Sequence, residues 1–380
     1  MRWNELRLQP DTPGGPDSPG SPGSPDSPAT PGSAGSPDGR PGPAAPALFE
    51  RGAITRSFDT PGFRGMTFFE VHARSVINRV PDSSRVPFRW TINPYRGCSH
   101  SCVYCFARNT HTYLDLDAGH DFDSKIVVKV NAPAVVRKEL NSRKWQGEHI
   151  AMGTNVDVYQ RAEGKYRLMP GILQALLDAR NPYSILTKGT LILRDLDLLL
   201  ASAEVTDVGL SVSVGCTDED LWRTIEPGTP SPRRRLGVCA TLSEHGLRCG
   251  VLMGPVVPFL SDSPAQLEST VRQIAEAGAT HISPIVLHLR PGAREWFLAW
   301  LGEHHPDLVP RYRGLYGSRA YAPKDYQQRI ADQVRELADR YHVGRGSPPP
   351  NQRTWRRAAQ AAPAQPAEPA EPAEEQLTLL

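Results

Sequence analysis

The sequence lacks any uninterrupted apolar run of 18 residues; the apolar stretch LILRDLDLLL is broken by Arg194, Asp195 and Asp197. A membrane-spanning helix is therefore not expected. The segment MRWNELRLQP has no apolar signal core, so the expected location is the cytoplasm. Lysine is scarce, at seven of the 43 basic residues, and a net charge of +2 singles out no partner. Large apolar side chains are rare in residues 9–47, which repeat Pro, Gly, Ser and Asp, and in 348–375, rich in Pro, Ala and Glu. Neither composition buries enough apolar surface to offset the entropy of ordering. Disordered segments are expected over 1–47 and 344–380, flanking an ordered unit over 48–343.

Cysteine is also sparse, six in 380 residues, yet Cys98, Cys102 and Cys105 share one loop, NPYRGCSHSCVYCFAR, at C-x3-C-x2-C spacing. In a reducing compartment such thiols read as metal or redox ligands, not disulfides. A fourth cysteine is what the loop lacks. Structural zinc closes with four ligands, and no second C-x2-C pair is present. His100 and His111 are the candidate substitutes. Electron-transfer clusters also usually take four cysteines. The remaining metal reading is a [4Fe–4S] cluster held by three cysteines, its open iron free to chelate an amine and a carboxylate. A zinc-stabilised nucleic-acid-binding module without catalytic activity is the alternative.

From about residue 88, short apolar runs alternate with amphipathic helical patterns. Strands are expected at RWTINPY, KIVVKV (125–130), HIAMGT (149–154), YSILTK (183–188), VGLSVSV (208–214), RCGVLMGPVVP and HISPIVL (281–287). Helices are expected in APAVVRKELNS and near 169–180, 195–203, 218–225, 232–245 and 264–277. This rhythm predicts an α/β fold with a parallel sheet and right-handed crossovers. About six βα units is short of the eight that close a full barrel. The expected architecture is a partial (β/α)6 TIM-like barrel, with an open doubly wound sheet as the alternative. After residue 291, AREWFLAWL, PDLVPRYRGLYG and KDYQQRIADQVRELADRYHV predict a helical carboxy-terminal extension.

The cysteine spacing, with Tyr104 before the last cysteine, resembles the signature of radical S-adenosylmethionine (SAM) enzymes. NPYRGCSHSCVYCFAR, IAMGTNVDVYQRAE, ILTKGTLILRDLDLL and EPGTPSPRRRL together resemble the branch related to spore photoproduct lyase, and within it an uncharacterised actinobacterial group. The likeness covers about residues 50–325. It implies a [4Fe–4S] cluster on Cys98, Cys102 and Cys105, with SAM on the open iron. It also implies reductive cleavage of SAM to a 5′-deoxyadenosyl radical, driven by an external one-electron reductant such as flavodoxin or ferredoxin.

The resemblance also implies where SAM is held. Gly153 and Thr154, in the MGT that ends the second barrel strand, offer backbone to the methionine amine, although this departs from the common Gly-Gly-Glu form. Asn155 and Asp157 lie just beyond. Lys188, in the T-K motif, neutralises the carboxylate. Ser211 and Ser213 share one face of the fourth strand, where one reaches the ribose. The backbone around Met253, in MGPVVP, lies along adenine, and Tyr104 and Phe106 flank the last ligand. Glu226 and Arg235 form either a cofactor contact or a structural ion pair. Arg96 and His100 stand where hydrogen bonds tune a cluster.

Spore photoproduct lyase takes its returning hydrogen from a cysteine on the second strand. AMGTNVD has none, and Cys216 is the substitute candidate donor. Cys239 and Cys249 read as small buried hydrophobes. Nucleic acid is nonetheless a candidate substrate. Residues 306–357 carry eleven Arg/Lys against five Asp/Glu with Tyr312, Tyr316, Tyr321, Tyr326, Tyr341 and Trp355 interleaved. That pattern suits phosphate contact and base stacking, or equally a solvated helix face above packed tyrosines. The terminal QLTLL resembles peptides that dock on the DNA sliding clamp, making Gln376, Leu377, Leu379 and Leu380 candidate contacts.

Overall fold

The computed structural model describes residues 6–7 and 53–343, apart from 83 and 85. Trp355, the carboxy-terminal tail, the clamp-like peptide and most of the Pro-rich segment lie outside the described residues. In chain order the strands are β1 (Leu6–Arg7), β2 (Ile54–Arg56), β3 (Thr67–Ala73), β4 (Ile77–Arg79), β5 (Trp90–Ile92), β6 (Tyr95–Arg96) and β7 (Lys125–Lys129). They continue as β8 (Ile150–Met152), β9 (Tyr183–Thr187), β10 (Val208–Ser213), β11 (Cys249–Val256) and β12 (Ile282–Val286). The helices are α1 (His120–Ser124), α2 (Ala132–Leu140), α3 (Arg161–Tyr166), α4 (Leu168–Asp178), α5 (Leu196–Val205) and α6 (Glu219–Ile225). After them come α7 (Pro232–Glu244), α8 (Pro264–Glu276), α9 (Ala293–His304), α10 (Val309–Tyr316) and α11 (Lys324–Arg340).

Strands β5, β8, β9, β10, β11 and β12 are parallel neighbours in sequence order, and β4 pairs antiparallel with β5 at the edge. A doubly wound sheet reverses its strand order at a switch point. This sheet never reverses, so it is the partial (β/α)6 barrel. KIVVKV is not one of its strands. As β7 it pairs parallel with β3 and antiparallel with β6, in a second sheet that β1 and β2 also join through β3. Leu6–Arg7 likewise departs from the expected disorder of residues 1–47, because its backbone pairs with Ala73 and His72.

Local chemistry sets the helix starts. Ser231 and Ser263 cap α7 and α8, each followed by a proline whose missing N–H would have no partner in the first turn. Asp218 caps α6 through the amides of Asp220 and Leu221. On α11, Ile330, Val334 and Leu337 recur on one face and are buried. Each such burial contributes about 1.5–3 kcal/mol.

The tyrosines of the helical extension mostly pack beneath it. Tyr312 and Tyr316 are buried, their hydroxyls donating to the Pro258 and Leu287 carbonyls at 2.6 Å. Tyr326 donates to Asp262, and Tyr341 to Glu268 at 2.9 Å. Arg329 and Arg340 pair with those same acids. For the described part of 306–357, the packed helix face describes the pattern better than a base-stacking surface. Tyr321 is the exception, at 45% exposed.

Candidate active site

Strand β5 leads through the short β6 into the cysteine loop. Gly97 turns it with φ +82°, and a Cβ there would sit 3.0 Å from the Lys125 carbonyl oxygen, so glycine is required. Cys98 and Cys102 are buried, Cys105 is half-buried, and all three line one cavity at the carboxy-terminal ends of the barrel strands. The cavity holds about 930 Å3 of space, its open mouth included. Barrel strand ends are where loops from separate strands converge on a ligand.

Three residues that sequence reasoning did not single out hold this loop. Arg108 is fully buried beneath it. Its Nε and Nη2 donate to the Cys102 carbonyl at 3.2 and 3.0 Å, and Nη1 donates to those of Ala118 and Gly119 at 3.3 and 2.9 Å. Nη2 also meets both Asp123 oxygens at 2.9 Å. Gln160 accepts from the Ser99 amide and donates to the Gly97 carbonyl, both at 2.9 Å. Glu163, buried, accepts from the Tyr95 hydroxyl, the Leu168 and Met169 amides and Arg194. The only sequence signal for Gln160 and Glu163 was their place in IAMGTNVDVYQRAE.

Asp157 ties the loop to the neighbouring strand ends. It accepts from the Thr187 hydroxyl and the Lys188 amide, each at 2.6 Å, and from the Tyr159 amide at 2.9 Å. His100 Nδ1 lies 3.4 Å from its other side. Burial alone would raise its pKa, but His100 and these hydrogen bonds overcome that and hold it at about 2. The Lys188 ammonium donates to Ser213 Oγ at 2.8 Å and lies 3.9 Å from Glu226. Ser213 Oγ in turn donates to the Gly254 carbonyl at 3.0 Å. Glu226 and Arg235 form a buried ion pair at 2.5 Å, Tyr104 donates to Glu226, and Arg235 also donates to the Ser213 carbonyl at 2.7 Å. Burial opposes ionisation of Glu226, yet Arg235, Lys188 and Tyr104 together hold its pKa down.

The structure sorts the sequence-derived candidates. Cys98, Cys102, Cys105, Tyr104, Phe106, Gly153, Thr154, Asn155, Asp157, Lys188 and Ser213 all line the cavity. Gly153 has φ +83°, and a Cβ would fall 1.8 Å from the Leu186 carbonyl oxygen. Ser211, Met253, Cys216, Arg96, Glu226 and Arg235 do not line it. Ser211 lies one pleat earlier on β10 and is absent from the lining. Met253 is fully buried and faces the other way, because alternation along β11 turns Leu252 and Gly254 inward. Cys216 is buried outside the cavity, its sulfur 4.0 Å from the Asp218 carbonyl, so it stands in no position to donate hydrogen there. Cys239 and Cys249 are buried in the core. Arg96 faces a separate small polar pocket.

The three thiols and the space beside them fit a polynuclear cluster. Among the described residues, no three His, Cys, Asp or Glu side chains converge to hold one metal ion. Of the two candidate fourth zinc ligands, His100 lines the cavity with Nδ1 turned to Asp157, whereas His111 lies outside the lining with Nε2 2.8 Å from the Lys125 carbonyl. Burial pushes all three thiols up, Cys102 to about 12, and a bound polynuclear cation would hold them as thiolates. Lys188 faces the same space, ready for an anionic group.

Residues 92–283 match the radical SAM superfamily. An uncharacterised protein of Mycobacterium tuberculosis (strain H37Rv) is 46% identical over 312 residues, 81% of this chain and 92% of that protein. The chain belongs to the radical SAM superfamily. Another similar protein of this radical SAM enzyme, uncharacterised and from Acidianus two-tailed virus, is 26% identical over 261 residues, 67% of this chain and 80% of the viral protein. Among solved structures, spore photoproduct lyase complexed with dinucleoside spore photoproduct superposes with TM-score 0.56 at 16% identity, covering 73% of this chain and 80% of that one. A mutant of that lyase with bound AdoMet and dinucleoside spore photoproduct gives 0.54 at 16% identity, over 69% and 77%. At that identity the likeness establishes the fold. The superfamily uses a [4Fe–4S] cluster and SAM. No helix among the described residues is long and apolar enough to cross a membrane.

Proposed function

We propose that Cys98, Cys102 and Cys105 hold three irons of the cluster, leaving the fourth for the methionine end of SAM. The observation that carries this is the meeting of all three loop thiols, the Gly153–Thr154 backbone and the Lys188 ammonium on one cavity. When bound, cluster and SAM together would supply hydrogen-atom abstraction by a 5′-deoxyadenosyl radical, given one electron from an external carrier such as flavodoxin or ferredoxin. Lys188 pairs with the SAM carboxylate. Its contact with Glu226 is no obstacle, because Arg235 already neutralises that acid. Ser213 lies where a ribose hydroxyl can bond, and Leu252, Gly254 and Pro255 offer an apolar wall to adenine while excluding water. The oxygen-sensitive chemistry belongs in a reducing cytoplasm.

The substrate enters at the rim. Phe106 and His288 line the mouth with ring centroids 5.6 Å apart, and His288 stacks on exposed Tyr321 at 5.5 Å and 25°. The Arg290 guanidinium lies 5.6 Å over Phe106 and donates to the Tyr321 hydroxyl at 3.2 Å. Flat rings beside a guanidinium favour a nucleic-acid component as the substrate class. With no thiol in the cavity beyond the three proposed ligands, a cycle ending in hydrogen donation from a protein cysteine has no support here.

Anaerobic reconstitution tests the core of this reading. The expected result is about four irons and four sulfides per chain, with dithionite-driven cleavage of SAM. A colourless protein carrying zinc and cleaving no SAM would overturn it in favour of the binding module. Lys188→Ala should keep its iron and bind SAM about 10- to 100-fold more weakly, the scale of a lost charge-assisted hydrogen bond; unchanged affinity in equilibrium dialysis removes that role. Deuterium passing from a labelled nucleotide into 5′-deoxyadenosine would identify the substrate class. Its absence across labelled DNA and RNA components removes the nucleic-acid assignment.

A further inference from the structure

Of the residues between the three cysteines, His100 and Tyr104 face the cavity and the other three face away from it. Ser99, Ser101 and Val103 line an open groove on the outer side of the same loop, together with Arg64, His120, Arg161 and Trp296. Arg64, His120 and Arg161 are exposed, and among the described residues neither arginine forms an ion pair with a carboxylate, while His120 lies near Asp123. Asp123, the only acid in the groove lining, is held by buried Arg108. The groove is therefore a concave, cation-edged surface with an aromatic wall, separated from the proposed cluster ligands by the thickness of one loop.

The loop is also firmly supported at this place. The Gly228 amide donates to the His100 carbonyl at 3.1 Å, and the Val103 amide to the Ile225 carbonyl at 3.0 Å. At Gly228 a Cβ would lie 2.1 Å from the Ser99 carbonyl oxygen, so the segment entering α7 rests directly on the loop. A partner seated here would meet a fixed surface, which lowers the ordering cost of docking.

We propose that this groove is the docking face for an acidic one-electron carrier protein, with Arg64 and Arg161 steering its carboxylates and the cysteine loop receiving the electron. Complementary charge raises encounter rates and fixes orientation, which a transient electron-transfer complex requires. In the step itself one electron leaves the reduced carrier and enters the cluster; the carrier is oxidised by one electron, and no bond or proton changes place. The inference rests on the cluster assignment above and adds where its electron arrives.

The test compares Arg64→Glu/Arg161→Glu with the wild type, each reconstituted anaerobically. Binding of flavodoxin and, separately, of a ferredoxin is measured by fluorescence anisotropy across a salt series, alongside SAM cleavage driven by carrier or by dithionite. The expected result is at least one carrier bound by the wild type in a salt-sensitive way, and about 10-fold or greater weakening with a flatter salt dependence in the variant. Carrier-driven cleavage should fall accordingly, while dithionite-driven cleavage holds. Neither carrier binding the wild type, or the variant binding as tightly as the wild type, overturns the proposal. So does an equal fall in dithionite-driven cleavage, which would mark a structural defect. Wild-type enzyme that takes up no cluster fails the proposed function instead, and metal analysis separates the two failures.

Discussion

Cys102→Ser should reduce iron and sulfide retention to background after anaerobic reconstitution and abolish SAM cleavage, while the apoprotein melts within about 1 kcal/mol of wild type. Removing one of three thiolates leaves a cluster edge without a covalent anchor, and a serine hydroxyl is a poor replacement for a soft ligand. Cys102 also sits at the centre of the loop, where Arg108 holds its carbonyl. Two companions make the result specific. Cys216→Ser and Cys239→Ser should retain both cluster and SAM cleavage, because neither sulfur reaches the cavity. Full iron content in Cys102→Ser, or its loss in Cys216→Ser, would contradict the assignment of ligands.

Arg108→Ala should have the largest effect on stability. The guanidinium is fully buried, serves the carbonyls of Cys102, Ala118 and Gly119, and pairs with Asp123. It also lies 4.9 Å from the Trp296 ring and 5.3 Å from that of Phe122. Breaking a buried pair from one side costs about 3–5 kcal/mol, because the remaining charge has no partner. Arg108→Lys restores charge without the planar fork, so only part of the loss should return. The effect also has a direction in pH. Burial raises the Asp123 carboxyl to about 6, with Arg108 opposing the rise. Without Arg108 it must rise further, so the variant's deficit should be greatest near neutral pH and shrink as acid neutralises Asp123. Urea melts at pH 5 and pH 7.5 check this; an equal deficit at both values would mean that the uncompensated carboxylate is not the cause.

The parallel series was legible because the barrel strands are short apolar runs separated by amphipathic helices, the later of them capped. Ser231-Pro232 and Ser263-Pro264 mark helix starts in one dimension as clearly as in three. Lys188 and Ser213 were legible by position, since both sit at strand ends. KIVVKV was not placed correctly, because nothing in its composition distinguishes a barrel strand from one paired with β3, itself unassigned beforehand. At MGPVVP the expectation concerned backbone; Gly254 and Pro255 of that segment line the cavity, while the Met253 side chain, one step away in the alternation, does not. Arg108 and Gln160 were invisible for a different reason. A buried arginine or glutamine is defined by partners that its own position does not announce: those of Arg108 lie 6 to 15 residues away, and the contacts of Gln160 with Gly97 and Ser99 span more than sixty.

Asp157 carries a consequence for selectivity. By bonding Thr187, Lys188 and Tyr159 while facing His100, it fastens two strand ends to the cysteine loop before any ligand arrives. A cavity closed by adaptable loops could yield to bulkier molecules, and would charge every ligand the entropy of ordering its walls. Here the walls are already fixed, so an incoming cofactor immobilises little beyond itself. Analogues enlarged at the methionine end should be turned away by rigidity alone, without any residue having evolved to repel them.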